Sequence, residues 1–358
     1  MTLPLIQSSS HPVIHPSTMR ALQLQAIGRL VEVELPVPEP KADEVKIRTV
    51  ATTICTSDLN DIAHNPFGIA LPRVLGHEGA GVVAAAGECV TDLRVGDRVA
   101  AHPVIPCRTC ENCRRGLGHL CSNLGHLGLD REGTFAEYFC IRADRARRIP
   151  PAVEFAAAAL LEPVAVCLEA VQRGRIQPGE TVLVVGDGPF GLLIARLVSR
   201  CKPSTVIVVG RHEFRLRQVP AAIAIHEKRT PDVPRAIREA NGGRGVDVAI
   251  LAAGSPSALE LGVASLRARG RVVVFSAVQG APSVDWFRLH TQELEILGAC
   301  NDEDMLEAGL ERLADAELCL SSLVTHRLPF ADWPRAFDLA RHGKNEALKV
   351  ALVFEELP

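Results

Sequence analysis

Apolar and polar positions change their rhythm partway along the chain. From Ala21 to about Cys140, short strand-like stretches at 45–50, 81–86 and 98–101 are interrupted every few residues by glycine and proline. Runs of that length between turn formers predict a β-rich unit. After Pro150-Pro151 the texture shifts. Residues 155–172 are rich in alanine and leucine and predict a helix, broken where Pro163 removes a backbone donor. From Thr181 onward, strand-like 181–185, 205–209, 246–252 and 271–275 alternate with helix-like 192–199 and 257–266. That alternation predicts a parallel sheet with crossover helices, an α/β unit. From about Cys300 the chain mixes one helix with strand-like 348–354, which is expected to return to the first unit.

Length and charge narrow the picture. At 358 residues the chain exceeds what one core usually supports, so two domains are expected. A net charge of −3 gives no reason to expect nucleic acid or a membrane surface as partner. The run Arg142, Arg145, Arg147, Arg148 is therefore read as a solvated linker face. No stretch approaches the roughly 18 apolar residues of a membrane span. Residues 1–18, with Ser8 to Ser10, His11-Pro12 and His15-Pro16, lack the pattern of a secretory signal and are expected to form a flexible tail. The expected location is the cytoplasm, where thiols stay reduced.

Four of the eleven cysteines stand too close for scatter: Cys107, Cys110, Cys113 and Cys121. Two residues between thiolates let one tight turn present both sulfurs to one ion, and four thiolates close a tetrahedral zinc shell. A closed shell has no room for substrate, so this zinc is expected to be structural. An iron–sulfur cluster also takes four thiolates, but no proline follows the fourth cysteine and the remainder is not ferredoxin-like. Three further segments carry donors: Cys55-Thr56-Ser57-Asp58, Gly76-His77-Glu78 and Leu161-Glu162-Pro163. A thiolate, an imidazole and carboxylates together make a borderline-soft set suited to an open zinc site. Gly186-Asp187-Gly188-Pro189-Phe190-Gly191 follows strand-like 181–185 and opens a helix. In that context the glycines allow a tight turn and bring a pyrophosphate to the helix N-terminus.

Gly76-His77-Glu78, Gly81, Gly87 and Val90 stand at the spacing of the zinc alcohol dehydrogenase signature, followed by Gly96-Asp97-Arg98-Val99. With the cysteine lobe and the glycine motif in the same order, the chain from Met19 to Phe354 resembles the zinc-containing medium-chain alcohol dehydrogenases. Glu162-Pro163 is similar to the sorbitol and threonine dehydrogenase branch. The resemblance implies a GroES-like β-rich catalytic domain at 19–166 and 300–358 that carries two zincs per chain. It implies a Rossmann doubly wound domain at 167–299. Cys55 and His77 would be zinc ligands, joined by Glu78 or Glu162, with the other glutamate holding the metal-bound water. Zinc would polarise a carbonyl or lower the pKa of a bound hydroxyl toward roughly 7. Ser57 would take the substrate proton. Asn60 stands where the family often has a relay histidine, Asp61 where polyol oxidisers carry an aromatic residue, and Asn301 where they carry an arginine. A sorbitol-like substrate is therefore not expected.

Members of this family form dimers or tetramers, so a homo-oligomer is expected, with a small alcohol or carbonyl compound as substrate. Lys349 matches a basic residue that contacts the pyrophosphate in some relatives, although an idle surface lysine is the other reading. At the end of the second Rossmann strand, Gly210 replaces the usual acid and Arg211 follows it, with Arg215 a turn later. An open place beside the ribose and a guanidinium fork suit a 2′-phosphate, so NADP is expected over NAD; the other reading has Glu213 turn back into the acidic role and Arg211 solvated. Two alternatives stay open: an NADPH-dependent carbonyl reductase of the same fold, and a zinc- and dinucleotide-binding sensor without turnover.

Overall fold

The computed structural model describes residues 17–219, 222–302 and 304–354; the expected tail at 1–18 lies outside these except for Ser17 and Thr18, and Thr18 already begins a strand. Three sheets organise the chain. A small antiparallel sheet joins Arg29–Pro36, Thr18–Ala26 and Arg73–Val74. Seven strands form the second, in which Glu44–Thr53 is the hub. It pairs antiparallel with Glu78–Ala86, with Tyr138–Arg142 and with Lys349–Val353 from the chain's far end. Burial is near-continuous along Glu44–Thr53, polar Lys46, Thr49, Thr52 and Thr53 included.

The third sheet has six parallel strands. Its spatial order is Ile223–His226, Thr205–Gly210, Thr181–Val185, Val246–Leu251, Leu266–Val274 and Glu295–Gly298. The order reverses direction at Thr181–Val185, whose two neighbours come later in the chain, and crevices at such points receive ligands. The turn after this strand is built by glycine. Gly186 has φ +124°, which side-chain-bearing residues rarely adopt, and a Cβ on Gly191 would strike the Gly186 carbonyl. Pro189 then occupies the first turn of helix Pro189–Val198, where its missing N–H costs nothing.

Pro163 does not break its helix. Phe155–Ala158 ends first, and Leu161–Arg173 starts afresh with Pro163 at its third position, inside the first turn whose N–H groups need no helical partner. Beyond 300 there are two helices of nine or more residues rather than one, Leu306–Ala314 and Trp333–His342. A common core spans both halves: Leu160 and Val164 pack with Val184, Leu192 and Leu193 of the parallel half and with Leu348 and Ala351 of the returning strand. Of the arginine run only Arg148 is exposed, so the solvated face is partial. Arg145 is buried, Arg142 pairs with Asp144, Arg147 with Glu307 and Arg148 with Asp97. None of the described helices is long and apolar enough to cross a membrane.

Candidate active site

Cys55 precedes helix Thr56–His64 and is buried. Its backbone N–H donates to Asp58 Oδ2 at 2.8 Å, an acid at the third helical position that satisfies the start of the helix. The other carboxylate oxygen of Asp58 lies 3.2 Å from His77 Nδ1. That contact turns Nε2 the other way, where Ser57 Oγ is 3.4 Å distant. His77 and Glu78 sit at the start of strand Glu78–Ala86, brought beside Cys55 by its pairing with Glu44–Thr53. Donor atoms of Cys55, His77 and Glu78 all lie within 4.8 Å of one another, and all three residues are buried.

The field in this pocket draws positive charge. Burial alone would lower the His77 pKa, but Asp58 and the Cys55 sulfur push it well above the ordinary histidine range. Glu78 is fully buried and bound by Thr53 Oγ1 and by Lys349 Nζ, the latter 2.6 Å from Oε2. Glu162 lies outside the three-residue group. It sits in the first turn of Leu161–Arg173, buried, with Oε2 unpartnered. Burial first, and then the nearby Glu78 charge, raise it to about 7 against the pull of His77 and Lys349. Cys55, His77 and Glu78 bring a sulfur, an imidazole and a carboxylate together, and the field that favours protons on His77 and Glu162 would equally favour a divalent cation. The donor set therefore fits zinc.

Lys349 is not an idle surface residue. Its Nζ is buried against Glu78 and stands 5.5 Å from the Phe190 ring centroid, between the metal-type cluster and the glycine motif. A cavity of about 380 Å³ runs from Cys55 and Asn60 to Gly188, Pro189 and Phe190. Cys55 and the end of the glycine turn thus line one space.

The four cysteines of the lobe also converge. Cys107 Sγ lies 4.0 Å from Cys113 Sγ, and Cys110 Sγ 3.8 Å from Cys121 Sγ. Four sulfurs about 2.3 Å from one zinc would be separated by about 3.8 Å. Backbone N–H groups of Cys110 and Asn123 already point at Cys107 and Cys121 Sγ, at 3.4 and 3.3 Å. Hydrogen bonds from Thr109 pull the Cys107 thiol down to about 5, whereas burial and neighbouring sulfurs push Cys113 up to about 12. Four crowded thiols cannot all ionise without a cation, and a zinc would let them.

Sequence reasoning missed two residues beside the Cys55–His77–Glu78 cluster. Asp58 left only the weak signal of an acid at a helix start. His126 sits on Gly125–His126, a short strand that pairs with Val104–Ile105 at the base of the cysteine lobe. Its ring centroid is 5.5 Å from that of His77. Nδ1 is 2.7 Å from the Leu127 carbonyl, so this nitrogen carries the proton. Burial, then the charge of His77, pulls its pKa to about 3.

Around the second Rossmann strand, the structure corrects the expectation of an open place. The volume beside Gly210 is filled by the Asp187 side chain. Arg211 is held by Glu227 at 2.6 and 3.1 Å, and Arg215 donates to the Ala347 carbonyl at 3.2 Å. Asn301 Nδ2 donates to the His119 carbonyl at 3.2 Å, on the side of the cysteine lobe.

Comparison with known proteins agrees with this architecture. Residues 41–151 match the alcohol dehydrogenase GroES-like domain and residues 189–315 the zinc-binding dehydrogenase domain. Sorbitol dehydrogenase of Bacillus subtilis strain 168 is 34% identical over 94% of this chain and 97% of its own length. Among solved structures, a protein described as a zinc-binding dehydrogenase of Sinorhizobium meliloti 1021, bound to NADP, superposes with a TM-score of 0.88. It is 27% identical and covers 94% of this chain and 100% of its own. An alcohol dehydrogenase of Escherichia coli CFT073 complexed with NADH gives 0.87 at 30% identity, covering 95% and 100%. The chain belongs to the zinc-binding alcohol dehydrogenase family, with a GroES-like and a Rossmann-type unit, and is an oxidoreductase of CH–OH groups.

Proposed function

We propose that this enzyme interconverts a small alcohol and its carbonyl at the Cys55–His77–Glu78 cluster, with two zincs per chain. The observation that carries this reading is the convergence of those three donors beside Ser57, with Cys55 on the wall of a cavity that continues to Gly188, Pro189 and Phe190. When bound, zinc there would lower the pKa of the substrate hydroxyl and the nicotinamide would exchange hydride with the carbinol carbon. Cys55, His77 and Glu78 hold the metal, and Glu162, with its free oxygen, holds the water. Lys349 holds the Glu78 carboxylate in place. Ser57 takes the substrate proton, and since Asn60 cannot titrate, the proton leaves through solvent or a ribose hydroxyl. Cys107, Cys110, Cys113 and Cys121 hold the second, structural zinc.

The catalytic unit is 19–166 with 300–358, and the dinucleotide unit 167–299. A homodimer through the exposed edge strand Glu295–Gly298 completes the assembly, and the free thiols suit the cytoplasm. For NADP the proximity of Arg211 remains in favour, whereas the filled place at Gly210 speaks against it. A sensor without turnover would have no use for a hydroxyl placed 3.4 Å from the imidazole of a metal-type histidine.

The test is absorbance at 340 nm with NAD and NADP over a panel of small alcohols and carbonyls, alongside metal analysis. Two zincs per chain, turnover lost to a chelator and turnover lost in Cys55→Ala are expected. Undiminished turnover in Cys55→Ala would end the assignment.

A further inference from the structure

In the Rossmann fold, the acid that accepts hydrogen bonds from the adenosine ribose normally stands at the end of the second strand. Here that position is Gly210, and a carboxylate is nevertheless present. A Cβ at Gly210 would lie 2.6 Å from both Cγ and Oδ2 of Asp187. Asp187 thus fills the volume of a strand-end acid, but it arrives from the glycine turn, directly after Gly186. It is 7% exposed. Its Oδ2 accepts the backbone N–H groups of Arg211 and His212 at 2.7 and 2.6 Å. The His212 ring nitrogen Nδ1 lies 3.1 and 3.2 Å from its two oxygens.

We infer that Asp187 is the cofactor-specificity residue: it takes the ribose-binding role from the strand end and selects NAD over NADP. This rests on the dehydrogenase reading above. Two departures from the usual pattern, a glycine at the strand end and an acid inside the glycine motif, then have one cause. Gly210 lacks a side chain because Asp187 is already there. Asp187 lines a cavity of about 280 Å³ together with Gly188, Ala253 and Ser255. Its Oδ1 has one hydrogen-bond contact among the described residues, the His212 ring, and retains capacity to accept from a ribose hydroxyl. A 2′-phosphate would add a charge of about −1.5 to −2 beside this carboxylate. The backbone amides that might cradle such a phosphate are spent on Asp187 itself. Arg211 is engaged at two points with Glu227, and Arg215, also close to Asp187, donates to the Ala347 carbonyl.

The experiment is calorimetric titration of the zinc-loaded, full-length protein with NAD, NADP and ADP-ribose, without alcohol substrate. Wild type should bind NAD at least tenfold tighter than NADP. Asp187→Ala should weaken NAD and ADP-ribose roughly 10- to 100-fold, the loss of a charge-assisted hydrogen bond, and collapse the NAD-to-NADP ratio. Gly210→Asp alone should weaken both dinucleotides, because two carboxylates then compete for one volume. Gly210→Asp combined with Asp187→Gly should restore NAD binding, and this pair decides the matter where Asp187→Ala fails to fold. Wild type that binds NADP as tightly as NAD, or a ratio unchanged by Asp187→Ala, overturns the inference and leaves the dehydrogenase intact. Wild type that binds neither dinucleotide overturns the dehydrogenase reading itself.

Discussion

Asp58 orders the Cys55–His77–Glu78 cluster without belonging to its donor set. One oxygen fixes the Cys55 backbone and the other faces His77 Nδ1, so a single side chain sets both the sulfur and the imidazole. Partners that orient a metal-binding histidine typically matter 10- to 100-fold for affinity. Asp58→Ala should therefore lower zinc affinity at Cys55–His77 by about 10- to 100-fold and leave the four-cysteine lobe loaded. Chelator competition followed by metal analysis reads this as one zinc lost early; simultaneous release of both would refute it. Cys55, His77 and Glu78 could be singled out in the sequence because cysteine, histidine and glutamate announce metal chemistry by type, and the fold brings them together. Asp58, His126 and Asp187 were not, because each matters through a partner that only the fold supplies. Asp187 is the sharpest case. Reading the strand end alone found Gly210 empty, and nothing in the order of residues shows that a carboxylate 23 positions earlier fills the gap.

Among the elements, the buried parallel strands were the most legible, since continuous apolar runs between turn formers leave little choice. Thr181–Val185 was expected and found with the same bounds. Short pairs such as Val104–Ile105 with Gly125–His126 carry no periodicity, so the base of the cysteine lobe and its delivery of His126 stayed invisible. Glu295–Gly298 raises a different question, because it ends the six-stranded sheet and offers unpaired backbone groups on one side. Ile296 on this strand is 38% exposed, and Trp286 and Phe287, just ahead of it in the chain, are 69% and 78% exposed. Apolar side chains beside an open edge invite a second copy. Sedimentation velocity should find wild type as a dimer or larger, and Ile296→Lys should shift it toward monomer, since an edge lysine opposes strand pairing. A monomeric wild type, or a variant that assembles unchanged, would remove the edge strand from the assembly.

At the scale of the whole molecule, one buried contact ties the segment leaving the parallel sheet to the β-rich half. His102, fully buried after strand Arg98–Ala101, brings Nε2 to 2.6 Å from Asp302 Oδ2. Arg145 Nη2 lies 2.9 Å from His102 Nδ1, and Arg145 Nη1 donates to Asp304 Oδ1 at 2.9 Å. Arginine can only donate, so Nδ1 must accept and the single imidazole proton belongs on Nε2, toward Asp302. A second proton on His102 would set two donors and two charges against each other. Burial first, reinforced by the Arg145 charge, accordingly lowers the His102 pKa, although Asp302 pulls the other way. The direction fixes the sign. Below the ordinary histidine value of 6.5 the unfolded chain takes up a proton that the folded protein resists. The neutral contact therefore contributes its full stability above that pH, and the contribution is lost as pH falls toward the folded pKa. One proton corresponds to at most about 1.4 kcal/mol per pH unit. His102→Gln can still donate to Asp302 and accept from Arg145, but it does not titrate. Urea unfolding at several pH values between 5 and 8 should show wild type more stable than His102→Gln at neutral pH. The gap should narrow as the solution is acidified, and two parallel stability curves would show that the proton linkage does not run through His102.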